Sequence, residues 1–105
     1  MVTVIEVPIT ITPAAQARVR ELGADEPLER MLDYTRRTIP RLHSITVDRY
    51  DDPDEPAEPR VVITAWQNGT APVGITDWQN WIRWFGEAFP PTIGRYFGFS
   101  IYDRE

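Results

Sequence analysis

The chain has 105 residues and a formal charge of −5, with no cysteine and no lysine, so all eleven cationic side chains are arginine. That length is one domain's worth and hides about 65% of the unfolded surface. The composition excludes disulfides, thiolate nucleophiles, iron–sulfur ligation, cysteine-containing zinc sites and Schiff-base lysines.

Ile5, Val7, Ile9 and Ile11 alternate with Glu6, Pro8 and Thr10, which predicts a first strand over Thr3 to Ile11. Pro8 has no N–H for a ladder, so this strand is an edge, or is bulged or broken there. Thr12-Pro13 opens a helix in which Ala15, Val19 and Leu22 share a face and Gly23 supplies the left-handed cap. A second helix starts near Asp25 and Pro27, carries the stripe Leu28, Met31, Leu32, Thr35 and Ile39, and ends at Pro40. On its outer side Glu26 with Arg30, and Asp33 with Arg37, are acid-first pairs four residues apart. Arg36, Arg37 and Arg41 form a small basic patch near its end, read as a solvated helix face.

Ser44 to Tyr50 alternates again and predicts the second strand. Residues 51–59, DDPDEPAEP, form an exposed acidic Pro-rich loop, with Asp51, Asp52, Asp54, Glu55 and Glu58 among three prolines. Outside it eleven acids balance eleven arginines, so the net charge belongs to this loop and not to the whole surface. Arg60 to Gln67 is the third strand, followed by turn residues Asn68-Gly69, Pro72 and Gly74. Thr76 and Gln79 have capping-box spacing before a helix that sets Trp78, Trp81, Ile82, Phe85 and Phe89 on one face, with Trp84 on its shoulder. Pro90-Pro91 stops that helix, and Arg95 to Tyr102 reads as the last strand.

The order β-αα-β-β-α-β over residues 1–105 predicts a single α+β domain. Its expected form is a two-layer ferredoxin-like sandwich, with a four-stranded antiparallel sheet and helices on one face. Pro8 stands against that topology, which makes the first strand central.

Few residues point to chemistry. His43 and Ser44 are adjacent, and on a regular strand their side chains point to opposite faces, which denies them the hydrogen bond that activates a nucleophile. The acidic loop lacks calcium-loop spacing and its central glycine, and its prolines suit a stiff solvated spacer. No phosphate-loop motif is present. No catalytic residue, metal or cofactor is assigned.

Two segments resemble known families. ITPAAQARVREL, Ile11 to Leu22, resembles the opening of A-type iron–sulfur carriers, which bind through cysteines that this chain does not have. RYFGFSIY, Arg95 to Tyr102, is similar to the RNA-recognition-motif signature, matching at Arg95, Phe97, Gly98, Phe99 and Tyr102, with Tyr96 in place of its glycine and Ser100 in place of an apolar position. That resemblance implies a sheet on which Phe97 and Phe99 stack bases. Alternation instead puts both rings in the core, and the charge balance disfavours nucleic acid as a partner.

Ten of the twelve aromatic residues lie between Trp66 and Tyr102, more large rings than one helix layer on a small sheet hides. With Val61, Ile63 and Ala65 turned inward, Trp66 falls on the other face, joined by Tyr50, Tyr96 and Tyr102. The leading expectation is therefore a non-catalytic interaction domain. It would form a homodimer, or bind another protein, through Tyr50, Trp66, Trp84, Tyr96 and Tyr102. A small-molecule pocket between the aromatic helix and the sheet, served by Tyr34, Asp48, Arg49 and Tyr50, is the alternative, and an RNA-binding sheet is third. The opening residues have no signal-peptide pattern and no segment has the length of a membrane span, so the chain is expected to be cytoplasmic; its lysine-free make-up is a bacterial-type composition.

Overall fold

The computed structural model describes residues 7–68 and 75–103. The first half of the expected first strand and the turn residues of 69–74 lie outside them. The elements are β1 (Ile9–Ile11), α1 (Pro13–Glu21), α2 (Asp25–Thr38), β2 (Leu42–Tyr50), β3 (Arg60–Gln67), α3 (Ile75–Ala88), α4 (Pro91–Gly94) and β4 (Phe97–Asp103).

Local chemistry sets the helix ends. The Thr12 Oγ1 accepts from the Ala15 N–H at 3.2 Å, with Pro13 in the first turn. At the other end Gly23, at φ 63°, donates to Arg20 O while the Ala24 N–H reaches Val19 O, which is the paired closure of a Schellman turn. Helix α2 has no side-chain cap, but Asp25 and Glu26 lie in its first turn, where the helix dipole favours negative charge. Asp33 bonds Arg37 at 2.9 Å and lies 3.8 Å from Arg36, while the Arg30 guanidinium lies over the Phe89 ring. Helix α3 begins one residue ahead of Thr76, so that threonine falls inside the first turn. Pro91, expected only to stop α3, also opens the short helix α4.

The sheet order is β1-β2-β3-β4, and this corrects the ferredoxin-like antiparallel expectation. The sheet is mixed: β1 runs parallel to β2, β2 antiparallel to β3, and β3 parallel to β4. Pro8 explains the place of the first strand. Its carbonyl accepts from the Ile45 N–H at 2.9 Å, and the ladder begins there because the ring has no N–H to extend it. A strand so limited is an edge strand, not a central one.

Along β2, β3 and β4 the odd-numbered residues Ile45, Val47, Val61, Ile63, Ala65, Phe97, Phe99 and Ile101 are buried, in register with one another. They meet Ala15 and Val19 of α1, Leu28, Met31 and Leu32 of α2, and Trp81 of α3, so the helices cover one face only. At the centre the Trp81 ring lies 4.0 Å from Phe99 and nearly parallel to it, and its indole N–H donates to the buried Thr35 Oγ1 at 2.9 Å. The buried side of α3 is turned toward Trp84, leaving Ile82 and Trp78 on its outer flank. Trp78 still bonds, donating its indole N–H to the Phe99 carbonyl on the free edge of β4 at 2.9 Å.

Both parallel crossovers, through α1 with α2 and through α3, pass over this same face. They step across the sheet in the same direction, but the hairpin between them has reversed the strands. The two crossovers therefore have opposite hands, and one of them goes against the strong right-handed preference of such units.

Candidate interaction surface

The even-numbered strand residues point away from the helices, and the register sorts them into rows across the sheet. Thr10, Thr46, Thr64 and Ser100 align across all four strands as a continuous row of hydroxyls. One step along the strands to one side lie Ser44, Trp66 and Tyr102; one step to the other side lie Asp48, Val62 and Gly98. Beyond these, Tyr50 pairs with Arg60 next to the acidic loop. Most of this face is uncharged, with Asp48 and Arg60 toward one end.

The five aromatic residues singled out from the sequence fall in three places. Trp66 and Tyr102 sit together on the open face, ring centroids 5.6 Å apart and tilted by 33°, and the Trp66 indole N–H donates to Thr46 Oγ1 at 3.1 Å. Tyr102 is 54% exposed, and Tyr50, on the same face at its other end, is 51% exposed. Trp84 lies in the helix layer, stacked on Tyr34 of α2 at 3.9 Å and edge-on to Trp81 and Phe89. Tyr96, just before β4, is half-buried between the guanidinium groups of Arg18 and Arg95, at 5.2 and 4.9 Å from its ring.

Those two arginines also hold down the acidic loop. Arg18 donates through Nε to the carbonyl of the buried Pro59 at 3.0 Å, and Arg95 pairs with Glu58. The hydrogen bond to Glu58, and then the charge of that carboxylate, raise the Arg95 guanidinium above its ordinary pKa. The loop is thus solvated along most of its length but docked at its last two residues.

The polar groups expected around a pocket do not converge. Tyr34 belongs to a groove of about 420 Å3 between α2 and α3, lined also by Thr38, Asp77, Asn80, Arg83 and Glu87. Asp48 is on β2, accepting from the Thr12 hydroxyl at 3.1 Å and from the Arg49 N–H at 2.8 Å, and Arg49 bonds Asp51. Between the aromatic helix and the sheet the space is filled by Trp81 packed against Phe99 and Phe85.

His43 and Ser44 correct the sequence expectation. The register slips between Leu42 and Ser44, which breaks the side-chain alternation, and His43 Nδ1 lies 2.9 Å from Ser44 Oγ. The pair that regular alternation forbids is therefore formed, on a bulge at the end of the open face. Among the described residues no third side chain orients the imidazole, as a nucleophile system requires. Among the described residues no three His, Asp or Glu side chains are placed to hold a metal ion, and no helix is long and apolar enough to cross a membrane.

Alternation in the sequence already places Val62 and Thr64 with Trp66 on the face away from the helices, but it shows neither the hydroxyl row nor Gly98 as a part of this surface. Alternation gives the face of each residue, but only the strand register shows that they lie side by side. No protein-family model matches this chain, and comparison with curated proteins and with solved structures finds none similar to it.

Proposed function

We propose that this chain is a non-catalytic interaction domain that pairs with a second copy of itself through the open sheet face. The observation that carries this reading is Trp66 beside the exposed ring of Tyr102 on a face over which, among the described residues, no helix packs. Interface cores are built this way, with aromatic rings in an uncharged centre and charges at the rim. Here the hydroxyl row and Val62 complete the centre, and Asp48 and Arg60 lie toward the rim.

Strand spacing and rise give the face a footprint of about 20 by 20 Å, or ~400 Å2 per copy. Such a footprint sits at the small end of specific interfaces, so the pair comes apart on dilution, with a dissociation constant roughly in the micromolar range. A small-molecule pocket finds less support, since Trp81 occupies the space it needs. The RNA reading also weakens, because Phe97 and Phe99 are turned to the helices.

The test is sedimentation equilibrium over a concentration range spanning about 1 to 500 μM. Wild type is expected to shift from monomer to dimer, and Trp66→Ser to remain monomeric throughout. A wild-type chain that stays monomeric at the highest concentration would overturn the proposal.

A further inference from the structure

Resting on that reading, we infer one register for the pair: a twofold axis runs across the strands along the hydroxyl row, and Tyr102 of each copy seats over Gly98 of the other.

The rows fix the matching. Ser44–Trp66–Tyr102 and Asp48–Val62–Gly98 lie two residues to either side of the Thr10–Thr46–Thr64–Ser100 row. A twofold axis along that middle row turns the strands end for end and lays the first flanking row over the second. Tyr102 then faces Gly98, Trp66 faces Val62, and the Ser44 hydroxyl faces the Asp48 carboxylate. On both aromatic strands a large side chain meets a small one, and the arrangement is self-complementary, as an isologous contact must be. The modest angle between packed sheets leaves these neighbours matched near the axis.

Gly98 supplies an independent argument. It lies inside a strand, where glycine weakens the element and often marks the close approach of something else. Nothing among the described residues requires it. Its φ is not in the left-handed region, and a Cβ added there would meet only Val62 Cγ2, at an ordinary 3.9 Å. The hollow therefore opens outward, four residues along β4 from an exposed tyrosine of the size to fill its counterpart in another copy.

Charge selects the axis direction. Across the strands, the twofold sends the two acidic loops, with five carboxylates each, to opposite ends of the pair. An axis along the strands would bring them together at one end, where like charges repel.

The experiment is a complementation between two single variants, read by native mass spectrometry and sedimentation. Gly98→Tyr sets two tyrosines against each other, and Tyr102→Ala leaves the hollow unfilled, so each is expected to self-associate at least about tenfold more weakly than wild type. Mixed, the two variants restore one large-on-small contact at each site, and a heterodimer of near wild-type affinity is expected. Should Gly98→Tyr fail to fold by circular dichroism, Gly98→Val serves in its place, with weakened self-association expected and unchanged self-association contradicting the register. The register is overturned if folded Gly98→Tyr dimerises like wild type, or if the mixture stays monomeric. The two levels separate cleanly: a monomeric wild type removes the pairing itself. A dimer lost in Trp66→Ser but untouched by Gly98→Tyr removes only this geometry.

Discussion

Thr35 uses one buried oxygen twice, donating to the Met31 carbonyl at 2.7 Å and accepting from the Trp81 indole at 2.9 Å. Thr35→Val keeps the shape and leaves that indole N–H without a partner in the core, a loss of about 1–3 kcal/mol. Thermal denaturation is expected to show a midpoint lower by several degrees, and a double-mutant cycle with Trp81→Phe should recover part of the loss. Equal stability of Thr35→Val and wild type would mean the hydrogen bond contributes nothing. The stripe position of Thr35 is legible in the sequence, because Leu28, Met31 and Leu32 share its helical face. Its partner is not, because Trp81 lies 46 residues further on and no local rule pairs them. The His43–Ser44 contact is hidden for a related reason: alternation assumes an unbroken ladder, and a one-residue slip cancels it.

Elements bounded by strong punctuation can be read directly. Strand β3 runs from Arg60, after the prolines, to Gln67, before Asn68-Gly69, as its pattern predicts, and α1 has the cap residues expected of it. The joint between α1 and α2 depends on Gly23 and its left-handed backbone, so Gly23→Ala is expected to lower stability by about 1 kcal/mol although the added methyl has open space. Chemical denaturation with an unchanged midpoint would argue against this account. The acidic loop is less legible, because composition shows its exposure but not its docking on Arg18 and Arg95. Arg18→Ala removes the bond to the Pro59 carbonyl and the cation over Tyr96. Hydrogen exchange of the amides in 51–60 should then accelerate severalfold while those of β2 and β3 keep their rates; loop exchange in Arg18→Ala at the wild-type rate would show that the loop does not depend on this anchor.

At the scale of the whole molecule, the α+β class follows from the element order, but the strand order does not. The ferredoxin-like arrangement interleaves its strands so that both crossovers can be right-handed on one face. Here each crossover joins neighbours, and a proline that limits the first ladder keeps β1 at the edge. Helix periodicity reports neither the hand of a crossover nor the partner of a strand. The open face is largely neutral, so self-association is expected to change by less than about twofold between 50 and 500 mM salt, whereas phosphate-driven binding would fall by orders of magnitude. Strong weakening by salt in sedimentation would point to charge as the source of attraction. A sheet with a bare face and two outer strands also risks growing sideways into ribbons. The Trp78 indole sits across the middle of one outer strand, claiming the Phe99 carbonyl that an incoming strand would need, and Pro8 shortens the other. Assembly is thereby steered away from open-ended polymerisation, and replacing Trp78 with a smaller side chain is the change from which fibre formation would be expected to start.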